Sequence, residues 1–250
     1  MNNHFQPAKA AAALALAIAA FSATALPTRV ATSPADALQL LSNASGGRLT
    51  SALRANEAFT AAHALRGAVL LADDVAAAPL LRAQNFLNSY GALAGVTDAA
   101  SQLKLVRQST DRVGITHVHL DQVQNGLPVF GARMVVHMNS AGIVGVNGVF
   151  LSGLEALSMA PAKDLSFLRE RAFVATRKLH PEVTNLSVES SRLMFYRTGL
   201  LKGVEGKDFL AYEVMVKGGT AAFPVRERMI LNANTGNLLN RINEIHSVLN

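Results

Sequence analysis

Asn125-Gly126 stands between two runs that alternate apolar and polar residues, Ile115–Val123 and Leu127–Met138. A two-residue hairpin turn needs positive φ at both central positions, and Asn-Gly adopts that geometry at the least steric cost. The middle of the chain is thereby committed to an antiparallel hairpin. If the alternation runs unbroken, Phe130, Ala132, Met134, Val136 and Met138 share one face of the second arm. Asn139–Gly142 turns the chain into a third strand, Ile143–Phe150, and Leu103–Gln108 alternates upstream. A sheet with one apolar face must be covered. The segment from Pro79 to Leu93 supplies the cover: Leu80, Phe86, Leu87, Tyr90 and Leu93 fall near helical spacing, and Gly95 is a stop.

The pattern then repeats in kind. After a linker around Ser152–Pro161, residues 164–179 read as an amphipathic helix, with Asp164 as cap and Leu165, Leu168, Ala172, Ala175 and Leu179 as its stripe. His180-Pro181 ends it. Strand-like runs follow at about 188–197, 208–217, 223–231 and 237–245, with Asn232–Gly236 turning into the last. The expected fold class is α+β: two small units, each a helix packed on an antiparallel meander. Upstream, residues 26–78 are rich in Ala, Ser and Thr with weak periodicity, and are expected to be loosely ordered. A short helix over Ala35–Leu41 is the exception, capped by Ser33 with Pro34 at its first position and broken at Ser45-Gly46-Gly47.

The N-terminus reads as an export signal. Lys9 and the amino terminus precede an apolar run over residues 10–21, shorter than the ~20 residues of a spanning helix. Ala23-Thr24-Ala25 offers a cleavage site between Ala25 and Leu26. The expected location is extracellular or periplasmic. The chain has no Cys, which excludes disulfides, thiol catalysis and Cys-based zinc sites. A formal charge of +6 comes from scattered residues, among them Arg48, Arg54, Arg66, Arg82, Lys104, Arg107 and Arg112. With no dense basic run interleaved with aromatics, nucleic acid is a poor partner, and a solvated surface or an acidic protein partner is the better account.

Residues 116–148, THVHLDQVQNGLPVFGARMVVHMNSAGIVGVNG, resemble the fungalysin/thermolysin propeptide motif, through its NGLPVFG core, the VVH that follows and the VNG that closes it. Residues 163–246 resemble the PepSY domain that follows in the same precursors, through the helix, LAYEV at 210–214, VRERMILNANTG at 225–236 and NLLNRINEIHS at 237–247. The resemblance implies cystatin-like units and the following order: signal peptide 1–25, a loosely ordered propeptide part 26–78, a propeptide-type domain 79–152, a linker 153–162, a PepSY-type domain 163–247 and a tail 248–250. It further implies a secreted propeptide that assists folding of a thermolysin-like zinc metalloprotease and inhibits it, which makes that protease the expected partner. The zinc helix of such proteases carries H-E-x-x-H. None of His4, His63, His117, His119, His137, His180 and His246 is followed by Glu or has a His four residues on. The chain as given is therefore not expected to be the peptidase, and zinc and calcium are expected only in a catalytic domain. Two alternatives stand beside this reading: the front of a precursor whose full product is a metalloendopeptidase, and a free-standing secreted binding module.

No catalytic, cofactor-binding or metal-ligating residue is expected here. A hairpin centred on Asn125-Gly126 sets His117 opposite Met134, His119 opposite Ala132, and His137 opposite Gly114 on the other side of the sheet. A shared metal site needs ligands converging on one side, so partly buried, hydrogen-bonded histidines are the expectation. The resemblance places the inhibitory segment at Ile245, His246 and Ser247, and the propeptide cleavage at Ser247–Val248, since thermolysin-like enzymes favour an apolar residue after the cut.

Overall fold

The computed structural model describes residues 31–46, the backbone of 51–53 and 59–61, and residues 73–245. The signal segment with its Ala25–Leu26 junction, and His246, Ser247 and Val248, lie outside the described residues. In chain order the elements are α1 (Pro34–Ala44), β1 (Ser51–Leu53), β2 (Phe59–Ala61), α2 (Pro79–Tyr90), α3 (Ala99–Gln102), β3 (Leu103–Thr110), β4 (Thr116–Gln124), β5 (Leu127–Met138), β6 (Ile143–Gly148), α4 (Leu165–Leu179), β7 (Ser187–Arg197), β8 (Asp208–Gly219), β9 (Pro224–Asn232) and β10 (Leu238–Asn243). The class is α+β, as expected. One antiparallel sheet runs β1-β2-β6-β5-β4-β3 and a second runs β7-β8-β9-β10. They meet where Val129 of β5 pairs in parallel with Phe195 of β7.

In the first unit α2 lies on the sheet with Ala83, Phe86, Leu87 and Tyr90 buried against Val118, Leu120, Met134, Val136 and Met138. Burying a side chain the size of Phe or Leu is worth about 1.5–3 kcal/mol, so this face holds the helix in place. Part of the segment expected to be loose joins the same core. Ser33 Oγ accepts from Asp36 N at 3.1 Å, capping α1, and Ala37 and Leu41 are buried. Arg82 is not a solvated surface charge. It is buried, with Nε 2.5 Å and Nη2 3.1 Å from the Asp73 carboxylate and Nη2 2.9 Å from the Asn139 carbonyl, tying α2 to the β5–β6 turn.

In the second unit α4 covers Val214, Val216, Met229 and Leu231 with Leu168 and Ala172. Its buried stripe ends in Thr176, whose hydroxyl donates to the Ala172 carbonyl at 2.9 Å, rather than in Leu179, which is exposed. The opposite face of this sheet is covered in part by Phe130, which reaches across from β5 onto Met194, Tyr196, Ala211 and Ile230.

The hairpin register departs from expectation beyond the turn. Gln124 pairs with Leu127 and Val123 with Pro128, as a two-residue loop dictates, and Asn125 and Gly126 have φ of 50° and 81°. The next pair is Asp121 with Arg133, so residues 129–132 all lie opposite Gln122. This bulge inserts three extra residues into β5, an odd number, and so turns the alternation over. Pro128 has no N–H for the ladder, Val129 turns to Phe195, and Gly131 at φ 76° supplies the left-handed residue that brings the strand back. Val129 and Ala132 enter the core between the units with Leu151, Leu154, Phe195 and Leu200, while Phe130 goes to the far face against Tyr196. The expected common face of β5 therefore survives only for Ala132, Met134, Val136 and Met138.

Candidate functional site

Three places on this frame gather functional side chains. The first is the bulge. Gln122, fully buried, donates from Nε2 to the Leu151 carbonyl at 2.7 Å and accepts from Leu151 N at 2.8 Å through Oε1. A primary amide pairs with one backbone peptide in this two-bond manner, and burial makes each bond costly to lose. Gln122 thus joins the first sheet to the linker that leads into the second unit. Beside it a cavity of about 390 Å³ is lined by Phe130, Met194, Leu201, Arg133, Arg192 and Arg228 among others. The arginines are paired with acids: Arg133 with Asp121 at 2.5 Å, Arg192 with Glu213 at 2.9 Å and Arg228 with Glu244 at 3.1 Å.

The second is the face of the first sheet that points away from α2. Because of the bulge His117 stands directly opposite His137, and their Nδ1 atoms are 2.6 Å apart. His119 lies on the same side, with Nε2 3.1 Å from Arg107 Nη2. The expectation that His137 faces away from the other two is therefore wrong. The extra residues in β5 reverse its side, a shift the turn alone does not encode. Burial, then the positive charges of Arg107 and Arg133, hold the His119 pKa below its ordinary value. Asp111, in the β3–β4 turn, is held low by the N–H of Ile115, aided by His117 and the N–H of Val113. Among the described residues no three His, Asp or Glu are arranged to hold a metal ion.

The third is the exit strand. Among the described residues β10 pairs only with β9, and the chain leaves it through Glu244, whose N donates to the Arg226 carbonyl at 2.9 Å, and Ile245, whose N donates to Asn243 Oδ1 at 2.8 Å. Of the expected inhibitory residues only half-buried Ile245 falls within the described structure. Beside β10, on β9, sits Glu227, fully buried, with Arg241 Nη2 at 2.7 Å and His180 Nε2 at 3.0 Å. Burial, the largest influence on its carboxyl, pushes the pKa up, but Arg241 and His180 together outweigh it and the net direction is down. Sequence reasoning singled out neither Gln122 nor Glu227. Their positions in alternating strands point to them only once the covered face is known.

The segment from the end of α3 through β6 and on to Phe150, residues 101–150, matches the Fungalysin/Thermolysin Propeptide Motif. It contains the hairpin, the bulge and the histidine face. Over 154 residues the chain is 26% identical to the thermostable neutral protease NprT of Geobacillus stearothermophilus, covering 60% of this chain and 27% of that protein. It is 29% identical over 154 residues to bacillolysin of Bacillus subtilis (strain 168), covering 59% and 28%. It is 31% identical over 109 residues to the zinc metalloproteinase MspA of Legionella longbeachae, covering 40% and 20%. The chain thus spans about a quarter of the length of the curated relatives it matches. Among solved structures, the Bacillus megaterium YpeB C-terminal domain aligns over 70% of this chain and 67% of its own, with 13% identity and a TM-score of 0.37. No helix among the described residues is long and apolar enough to cross a membrane.

Proposed function

We propose that this chain is the secreted propeptide of a thermolysin-like zinc metalloprotease and acts on that protease as folding assistant and inhibitor. The observation that carries the reading is the propeptide motif over residues 101–150, which coincides with the β3–β6 meander. The similarity of the second unit's residues 163–246 to PepSY domains supports it. So does the likeness to proteases of which only about a quarter of the length is matched. A folded propeptide surface would lower the free energy of the protease's native-like state, and on this reading the segment that follows β10 fills the substrate cleft. On this reading Ile245, His246 and Ser247 form the inhibitory segment, Ser247–Val248 is the processed bond, and Ala25–Leu26 is the signal junction. Zinc and calcium belong to the protease partner, and the basic charge favours an acidic one.

The test is equimolar addition of the chain to mature bacillolysin of Bacillus subtilis and to the protease of its own organism. Slower peptide cleavage and faster recovery from denaturant are expected with its own protease at least. No change in either rate sinks the proposal. A second reading, the front of a longer metalloendopeptidase, is favoured by the same partial coverage of the relatives. Reading the gene beyond the codon for Asn250 decides it: an in-frame H-E-x-x-H supports that form.

A further inference from the structure

The cations of the second unit fall into two classes. Every one on its strands is paired with an acid: Arg192 with Glu213, Arg197 with Asp208, Lys217 and Arg226 with Glu189, Arg228 with Glu244, and Arg241 with Glu227. Those of α4 and the residue before its cap, Lys163, Arg169, Arg171, Arg177 and Lys178, are all exposed, and among the described residues none has an acid within ion-pair distance. Three of them rest on rings instead, Lys163 and Arg171 on Phe167 and Arg177 on Phe173, while Arg169 donates to Ser191 Oγ at 2.7 Å. Like charges gathered on one helix repel each other, and an anionic neighbour would relieve that repulsion.

Two of these cations flank a groove at the edge of the sheet. Phe167, Arg171, Val174 and Lys178 recur at helical spacing and form one flank of α4. That flank and the start of β10 enclose about 160 Å³, with Val174, Ala175, Leu231 and Leu238 as an apolar floor and Arg171 and Lys178 as the charges of the lining. The two cations are two helical turns apart, about 10 Å along the axis. Leu238 stands opposite Leu231 and Arg241 opposite Met229, so both point to the side of the sheet that α4 covers. Leu238 is nonetheless 48% exposed, because the sheet has no strand beyond β10 among the described residues. Glu244 N bonds inward to the Arg226 carbonyl, and alternation then turns the N–H groups of Asn243 and Arg241 outward. Arg241 N accordingly donates to the side chain of Asn240, at 2.8 Å.

We propose that this edge is a docking site for an extended acidic segment of a partner protein, which adds a strand to β10 and presents to α4 an apolar residue between two carboxylates. The added backbone takes up the outward groups of β10, as in other strand additions. The apolar side chain covers Leu238 and Val174. Carboxylates at alternate same-face positions on either side of it are about 13 Å apart along a strand, within reach of Arg171 and Lys178. A lipid surface fits less well, since the apolar floor lies inside a groove and the edge groups of β10 would find no backbone partner there. The site is distinct from the segment after Ile245 and does not depend on the propeptide reading.

The probe is the acetylated and amidated peptide Thr-Glu-Thr-Val-Thr-Glu-Thr, titrated into the full chain at neutral pH and followed by NMR. It should bind with a Kd of about 1 mM or tighter, and at saturation amide exchange at Arg241 and Asn243 should slow about tenfold. A peptide of the same composition with its two Glu adjacent, one on each face of the strand, should bind severalfold more weakly. Arg171→Glu with Lys178→Glu, at two exposed positions, should weaken binding about tenfold and flatten its salt dependence. Absence of binding at a few millimolar, binding that survives the double variant, or unchanged exchange at Arg241 and Asn243 overturns the proposal. Capture by phosphatidylglycerol vesicles without any response to the peptide overturns it in favour of a lipid surface. If the reversed variant does not fold, Arg171→Gln with Lys178→Gln, expected to weaken binding about threefold, decides.

Discussion

Each unit has a fully buried polar side chain on a strand of its sheet, and the two have opposite characters. The first uses Gln122, neutral and satisfied by the two backbone groups of Leu151. The second uses Glu227, charged and satisfied by Arg241 and His180. A buried amide with both bonds made costs little to keep and responds to no titration. A buried carboxylate is tolerated only while its cations stay with it. The same helix-on-meander plan thus holds a neutral amide in one sheet and a charged carboxylate in the other, and the two sites should answer differently to mutation and to acid.

The largest effect is expected from Glu227→Ala, which strands Arg241 and His180 against the second sheet. Removing one partner of a buried pair costs about 3–5 kcal/mol. Arg241 is 38% exposed and rehydrates in part, so the lower end, about 3 kcal/mol, is expected by urea denaturation. A loss under about 1 kcal/mol would put Glu227 in the class of surface pairs and erase the contrast. Gln122→Ala comes next, at about 2–3 kcal/mol, because it leaves a buried N–H and a buried C=O unpaired. This loss should be the same at pH 8 and pH 5; a pH-dependent one breaks the comparison from the other side.

Acid sharpens the contrast further. His119 has a depressed pKa in the folded chain, so its contribution is present above the unfolded value of about 6.5 and is lost as pH falls through the folded one. Glu227 is also depressed, so its contribution persists to below the ordinary carboxylate value of about 4.3 and fades only as pH falls through its folded pKa. Between about pH 6.5 and pH 5, then, amides of β4–β6 should lose protection severalfold while those of β7–β9 hold. Parallel losses in both sheets would show that the units open together and that the joint at Val129 and Phe195 dominates.

The elements were legible because their signals are local. Asn125-Gly126 set the hairpin, Ser33-Pro34 set the start of α1, and spacing set α2 and α4. What stayed hidden depends on contacts distant in sequence. Arg82 reads as one more scattered cation until Asp73 and the Asn139 carbonyl close on it. Glu213 reads as the solvent side of an alternating strand, yet β8 is covered on both faces, by α4 on one and in part by Phe130 on the other. The histidine pair was hidden by the bulge, since extrapolating the turn's register along β5 assumes that no residue is skipped. NGLPVFG carries the warning in its own letters: Pro128 cannot extend the ladder, and Gly131 offers a backbone that can leave and rejoin it.

Gly131→Ala is the smallest effect and the one that bears most directly on this joint. At φ 76° a Cβ is strained by roughly 1–2 kcal/mol. Its nearest neighbours would be the Cδ2 atoms of Leu200 and Leu201, at 3.3 and 3.5 Å, which are side-chain ends that can move. Strain alone should therefore set the loss, at about 1 kcal/mol in urea denaturation, with His117 still opposite His137. If the alanine instead dissolves the bulge, the odd count of inserted residues disappears and every residue of β5 beyond it changes side. His137 would leave His117, and the ring-to-ring contact seen by NMR would be lost. A loss near 1 kcal/mol with the two rings still in contact means the bulge is held by Val129 and Ala132 in the core between the units; separated rings mean that the glycine itself holds it.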